Sequence, residues 1–412
     1  MTADCCSEVD PSLLTLEQAI AKIQAAITPI SGSVSVALRD ALQRTLAVDV
    51  CSAIQVPPFT NSAMDGYALR YQDAQAAGLT VVGTAFAGKP YTQTVMAGQC
   101  VRIMTGAVLP DGADTVIMQE QVTRTEQRMV IDVAPTQGQH VRYAGEDIEQ
   151  GAQVLSRGVR LTPAHIAMLA SVGIAEIPVV RPLRVAFFST GDELIPLGQA
   201  LAPGQIYDSN RYALHSLLRT LGAEILDFGV IPDDRAAIER AFETASACAD
   251  VLLTSGGVSV GEADYVKETL AKLGEVNFWK MAVKPGKPLA FGHIGKTVFF
   301  GLPGNPVSAM ATFYEIVLPG LAALSGTQAK PKHRFRVKLQ TALKKAPGRL
   351  EFQRGVLSVD AAGETVVSTT GQQGSHMMTS MAQANCFILL PQESAGAEVG
   401  ALVEVEPLYG MM

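Results

Sequence analysis

The fold turns on residues 251–306, where VLLTSGGVSVGEADY (251–265), NFWKMAVKPGKPLAFG (277–292) and TVFFGLPGNPVSAMATF (297–313) follow one another. Each is an apolar run rich in β-branched or aromatic residues that breaks into a loop of glycine, proline and charge. Strands that deliver their C-terminal ends to one shared crevice have this pattern.

Working outward, the same rhythm begins at residue 184. RVAFFSTGDEL (184–194) reads as a buried strand, SNRYALHSLLRTLG (209–222) as a helix capped by Ser209 or Asn210, AEILDFGVIPDD (223–234) as a strand, and AAIERAFETASACAD (236–250) as a helix. Strand–helix alternation predicts a doubly wound α/β layer over 184–326. Asn305 and Pro306 supply a cap and a first-turn proline for a closing helix that ends near Leu324. Beyond residue 326 the helical periodicity stops. HRFRVKLQTAL (333–343), FQRGVLSV (352–359), NCFILL (385–390) and ALVEVEPL (401–408) predict a C-terminal β domain over 327–412, a barrel or compact sandwich.

Towards the N-terminus, Thr15 and Gln18 have capping-box spacing, with Leu16, Ile20, Ile23 and Ile27 on one helical face. Thr162-Pro163 starts a second helix carrying Ile166 and Leu169. These helices are expected to pack together as a discontinuous helical domain (1–50 and 151–183). It brackets an inserted small β domain (51–150), whose loops PPFTNSAMDGY (57–67) and RYAGEDI (142–148) carry conspicuous polar residues. The predicted class is therefore multidomain, α+β and α/β.

Composition narrows the chemistry. Hydrophobic residues are 48% and charged residues 17% of the 412, enough apolar surface for several cores. A net charge of −7 argues against a nucleic-acid surface, so any anionic ligand must meet local positive charge. The six cysteines show no CxxC pair and the six histidines no ligand spacing, which excludes the common zinc sites. MTADCCSEVD lacks the features of a secretion signal, and no uninterrupted apolar run reaches the roughly 18 residues of a membrane span. A cytoplasmic protein without membrane or nucleic-acid partners is expected.

The loops carry the chemistry. In TSGGVSVG (254–261), Ser255, Gly256, Gly257, Ser259 and Gly261 allow close approach of backbone N–H groups to a phosphate, although a plain tight turn has the same composition. The string is neither a Walker P-loop nor GxGxxG. Carboxylates at strand ends, Asp192, Glu193, Asp233, Asp234, Glu262 and Asp264, can gather around Mg²⁺ that bridges to phosphate oxygens; helix caps and solvated turns are the alternative, most readily for Asp264. Lys280, Lys284 and Lys287 concentrate positive charge in KMAVKPGKP, and on one strand Lys280 and Lys284 would face the same side.

NSAMDGYAL (61–69), RIMTGAVLPDGADTVIMQE (102–120), GEDI (145–148), FSTGDEL (188–194), GQIYDSNRY (204–212), SGGVSVGEADY (255–265), KPGKPLAFG (284–292), GLPGNPVSA (301–309) and GRLEFQRG (348–355) together resemble the MoeA-type molybdopterin molybdenumtransferases, relatives of the C-terminal domain of gephyrin. The resemblance spans nearly the whole chain after its first dozen residues. It implies insertion of molybdenum from molybdate into adenylylated molybdopterin with Mg²⁺-dependent release of AMP, in a homodimer whose cleft is shared between subunits. Molybdopterin adenylyltransferase and apo-molybdoenzymes are the implied partners.

By motif, the resemblance singles out Asp65, Thr105, Asp147, Glu193, Asp233, Asp264, Lys280 and Lys284 as catalytic. Glu193 and Asp264 would hold the metal. The cofactor would be bound by the glycine-rich loop, Lys287, and the Pro303, Gly304, Asn305 and Pro306 turn. Two rivals remain at this point: a nucleotide enzyme of the adenylyltransferase kind, and a gephyrin-like scaffold without catalysis.

Overall fold

Successive residues of a strand face opposite sides of a sheet, and the buried strands here use both sides. In Arg184–Thr190, Val185 and Phe187 enter one core while Ala186 and Phe188 enter another. The computed structural model describes residues 13–256, 265–327 and 332–408. Within it the chain forms two compact units, Ser33–Val179 on one hand and Met1–Gly32 with Val180–Met412 on the other.

The larger unit is built on a six-stranded sheet in the order Glu224–Ile231, Arg184–Thr190, Val251–Ser255, Thr297–Leu302, Pro288–Ile294, Glu275–Lys280. The first four strands are parallel; Pro288–Ile294 runs antiparallel to its neighbours on both sides. Helices cover both faces. Ser209–Thr220 packs on one side through Leu214, Leu217 and Leu218, and Arg235–Cys248 on the other through Ile238, Ala241 and Phe242.

The helix Leu16–Ala26 carries the expected capping box but not the expected partner. Its buried face, Leu16, Ala19, Ile23 and Ile27, joins the core of the α/β layer with Phe300, Val317 and Leu321. Leu169 of Pro163–Ser171 sits instead in a separate core with Leu38, Leu46, Leu161 and Ile177. An amphipathic stripe states that a helix is covered on one side, not by what.

The closing helix comprises Pro306–Thr312, a π-helical turn Phe313–Val317, and Leu318–Leu324. By length and a mean hydropathy of 1.5 these 19 residues match a membrane span, but 72% of the span is buried within the protein. Glu315 interrupts its apolar run, which is why the sequence shows no continuous span. Glu315 is itself 3% exposed. Lys332 Nζ lies 2.7 Å from both Glu315 and Glu406, and Arg334 Nε lies 2.7 Å from Glu406. Burial, opposed by Lys332 and reinforced by Glu406, pushes the Glu315 carboxyl up. At Glu406 the same burial is outweighed by the Lys332 and Arg334 contacts, and its carboxyl is lowered.

The C-terminal strands close on themselves. Leu350–Val359, Thr365–Thr369, Phe335–Leu339, Leu402–Pro407 and Cys386–Leu390 pair in that order, and Cys386–Leu390 returns to Leu350–Val359, giving a five-stranded barrel. The barrel, the first of the two expected forms, leaves no free edge within this ring.

In the smaller unit, six strands form a sheet in the order Thr115–Met118, Gly66–Leu69, Gln99–Ile103, Leu79–Ala85, Arg128–Ile131, Val122–Arg124.

Candidate active site

Parallel strands end on one edge, and that edge collects most of the polar residues singled out in the sequence. The chain goes from Arg184–Thr190 to its neighbour on one side and then to Val251–Ser255 on the other, so the strand order reverses between these two, where ligands enter open α/β sheets. At this gap the backbones come close. Gly256 has φ +91°, and a Cβ there would sit 3.0 Å from the Thr190 carbonyl oxygen. A side chain would meet both backbone strain and Thr190.

The edge is polarised in charge. On one side of the gap, Asp192 and Glu193 follow Arg184–Thr190, and Asp233 follows Glu224–Ile231. The Asp233 N–H donates to Asp192 Oδ1 at 3.2 Å. Partial burial, then the negative charges of Asp192 and Glu193, raise the Asp233 carboxyl above its ordinary value. Glu193 folds back over Gly191. Asp234 is the N-cap of Arg235–Cys248, accepting from Ala237 N at 2.9 Å, so the cap reading holds for it.

On the other side lie the lysines. Lys280 ends Glu275–Lys280 opposite Pro288, and the excursion between them is closed by Met281 N donating to Lys287 O at 2.8 Å. Lys280 and Lys284 do not share a strand. Residues 283 and 284 leave the α/β sheet and pair in parallel with the barrel strand Leu350–Val359, Lys284 opposite Glu351. Buried Met281, Ala282 and Val283 turn the chain inward, which a reading of alternation alone does not reveal. Gly286, with φ +104°, lies where a Cβ would be 2.7 Å from Thr312 Oγ1. The loop is thus seated directly on the closing helix.

Between these poles, Pro303, Gly304 and Asn305 leave Thr297–Leu302 and lead to Pro306. Asn305 occupies the expected N-cap position, with Pro306 in the first turn, but its side chain makes no cap bond. Its carbonyl accepts from Ala309 N at 2.9 Å. The turn is held instead by Asn210. This residue is not the cap of its helix, a role taken by Asp208, which accepts from Arg211 N at 3.1 Å. Buried in the first turn, Asn210 donates through Nδ2 to Ser255 Oγ and to the Gly304 carbonyl, both at 2.7 Å. It thereby ties two strand ends together. The DSN string signalled a helix start, but nothing local distinguished a cap from a tether. Gly257, Ser259, Gly261, Glu262 and Asp264 lie outside the described residues. Among the described residues, no three His, Cys, Asp or Glu side chains gather in a metal-binding arrangement.

In the smaller unit, the two polar loops are zipped together. Gly145 N donates to Pro57 O, Asp147 N to Val56 O, and Ala144 N to Thr60 Oγ1. Residues 141 and 142 pair with 62 and 61. Asp65 Oδ1 accepts from both the backbone N–H and the hydroxyl of Thr105, each at 2.7 Å. These two bonds lower the Asp65 carboxyl, with a smaller contribution from Arg102. Arg102, which was not singled out from the sequence, stacks 5.1 Å over the Tyr67 ring and is hydrogen-bonded to Gln119. Asp147 stands exposed on its loop.

Known proteins resemble this chain over most of its length. Residues 14–173 match the MoeA N-terminal region (domain I and II), 186–323 a probable molybdopterin binding domain, and 336–408 the MoeA C-terminal region (domain IV). The molybdopterin molybdenumtransferase of Haemophilus influenzae is 47% identical over 404 residues, covering 97% of this chain and all of its own length. That of a Nostoc species is 38% identical, over 84% of this chain and 82% of its own. The crystal structure of a molybdopterin biosynthesis MoeA protein from Pyrococcus horikoshii superposes with a TM-score of 0.83 at 29% identity, covering 96% of this chain and 100% of that one. With an end-to-end relative at this identity and all three regions matched in chain order, the chain belongs to the MoeA family of molybdopterin molybdenumtransferases.

Proposed function

We propose that this enzyme inserts molybdenum from molybdate into adenylylated molybdopterin, releasing AMP and leaving molybdenum cofactor. The observation that carries the proposal is the charge-polarised sheet edge, in a chain 47% identical along its length to a molybdopterin molybdenumtransferase. Carboxylates stand at one end, Lys280 and Lys287 at the other with Lys284 on the adjoining barrel ladder, and a glycine gap lies between. A substrate carrying a pyrophosphate beside a dithiolene that receives an oxyanion needs that separation of charge.

The residues present suit Mg²⁺ in their donor chemistry. Asp192, Glu193 and Asp233 are hard oxygen donors; partial burial, and then the negative charges of Asp192 and Glu193, raise Asp233, and a divalent cation would offset that negative charge. Glu193 would hold the ion, with Asp264 as the second ligand expected from the motif. When bound, Mg²⁺ supplies charge stabilisation at the pyrophosphate. Lys280, Lys284 and Lys287 attract the oxyanion and offset negative charge that develops as the phosphoanhydride breaks and AMP departs. Ser255, Gly256 and the Pro303–Gly304–Asn305–Pro306 turn, tied by Asn210, present backbone groups to the pterin phosphate.

The proposal extends to assembly. Asp65, Thr105 and Asp147 act from the second subunit of a homodimer, in the cytoplasm, where molybdopterin adenylyltransferase delivers substrate and apo-molybdoenzymes receive product. The decisive experiment incubates purified protein with adenylylated molybdopterin, Mg²⁺ and molybdate, and follows AMP release alongside reconstitution of an apo-molybdoenzyme. AMP release that does not depend on molybdate refutes the transferase reading. Light scattering tests the dimer, and an active monomer refutes the shared site.

A further inference from the structure

We infer that Glu351, on the C-terminal barrel, is a positioning residue that holds Lys284 ready for the oxyanion substrate. The inference rests on the reading of Lys284 as an anion-binding group and extends it to a residue outside the α/β layer.

Three observations converge on Glu351. First, the backbone brings the pair together, since residues 283 and 284 run parallel to the start of Leu350–Val359 with Lys284 opposite Glu351, and Leu350 N donates to Ala282 O at 2.9 Å. Second, Lys284 Nζ lies 3.1 Å from Glu351 Oε1, with the carboxylate side chain 5% exposed and the lysine 46% exposed. The anchor is buried and the ammonium faces outward. Third, Glu351 is itself fixed. Its Oε1 accepts from Gln353 Nε2 at 3.1 Å, and the same Nε2 donates to the Lys344 carbonyl at 3.1 Å.

A lysine ammonium has three donor positions on a flexible four-carbon stem. An exposed lysine must give up that freedom when it binds an anion. Here the ammonium is already ion-paired with a rigid carboxylate, while its other side is exposed. An ion pair with a buried carboxylate holds the stem better than a neutral contact. Gln at 351 would keep the shape and an acceptor oxygen but lose the charge that pulls on the ammonium.

The arrangement also gives the barrel a direct part in the site. Without its strand Leu350–Val359, residues 283 and 284 would have no ladder to pair with and Lys284 no anchor.

The test is a double-mutant cycle on the full-length enzyme with Glu351→Gln, Lys284→Met and the double variant. KM and kcat are measured with molybdate varied at saturating adenylylated molybdopterin, and then with the pterin varied at saturating molybdate. The two arms show which oxyanion Lys284 meets. Fluorescence melting confirms that each variant folds. The inference expects Glu351→Gln to raise KM about fivefold in one arm while changing kcat less, the size of a partly exposed ion pair, and to have no further effect once Lys284 is Met. An equal effect of Glu351→Gln in both backgrounds means a merely structural role and overturns the inference. So does no effect in the presence of Lys284. If Lys284→Met alone leaves both KM values unchanged, the anion-binding reading of Lys284 fails, and that failure is seen without reference to Glu351.

Discussion

Asn210→Ala separates the tether from the surrounding fold. Asn210 is 8% exposed, and its Nδ2 bridges Ser255 Oγ and the Gly304 carbonyl at 2.7 Å each. The amide orientation is forced, because the Gly304 carbonyl can only accept and so must face the NH₂ group. Truncation leaves the buried Ser255 hydroxyl without this donor, at roughly 1–3 kcal/mol, and removes the bond to the carbonyl of the exposed Gly304, worth about 0.5–1.5 kcal/mol. Alanine returns up to about 0.7 kcal/mol in helix propensity. The net loss is about 1–4 kcal/mol, and a unit of this size shifts Tm by about 2–4 °C per kcal/mol. A drop of about 2–16 °C follows. Trp279, the only tryptophan, packs against Phe291 in the same sheet and reports the transition by fluorescence. Molybdenum insertion should fall more than stability alone explains, because the Ser255 and Gly304 strand ends separate. Asn210→Asp is the sharper control. It preserves shape but sets an acceptor against the Gly304 carbonyl, so it should melt at or below the alanine variant at pH 8. An aspartate variant as stable as the native protein would refute the reasoning.

Further outcomes are expected elsewhere. The Glu315 carboxyl is raised from 4.5 to about 7, so the folded state holds a proton that the unfolded state has released between those values, and its contribution to stability is full below 4.5 and lost as pH rises through 7. Glu315→Gln should flatten that decline in a melting-temperature profile from pH 4.5 to 7, and an unchanged slope would count against the assignment. Gly286→Ala combines φ +104° with a Cβ 2.7 Å from Thr312 Oγ1, so it should displace the lysine loop and raise KM for an oxyanion several-fold, with melting lowered by about 1–3 kcal/mol. Glu193→Gln, on an exposed turn, should leave melting intact while turnover drops at least tenfold. Chelation of Mg²⁺ by EDTA should abolish AMP release until Mg²⁺ is restored.

Local signals carried far in this chain because they describe backbone state. Periodicity marked Arg184–Thr190, Val251–Ser255 and Thr297–Leu302 as strands, and the glycines after them as points of close approach, since φ and burial act within a few residues. The alternation of strands with helices placed their polar ends on one edge, so Asp192, Glu193, Asp233, Ser255 and Pro303 were legible as neighbours before any coordinates. The capping box at Thr15 and the helix start at Thr162-Pro163 were likewise readable, while the box that His165 closes at Thr162 was not. By itself, then, the sequence determined the α/β layer, the polar edge on which its strands end and a β-rich C-terminal region.

Tertiary structure decided what each surface meets. Leu16–Ala26 shows an apolar stripe that fits any covered face, and only packing assigned it to the α/β core. Lys280 and Lys284 sit four residues apart, yet buried Met281–Val283 route the chain into the barrel's ladder and put the two lysines on different sheets. Asn210 bonds to residues 45 and 94 positions away, and Glu351 lies 67 positions from Lys284, each separation the difference of the residue numbers. The physical reason is range. Dihedral preference and amphipathicity are properties of a few neighbouring residues, whereas hydrogen bonds and ion pairs act over about 3 Å between groups that only the completed fold brings together.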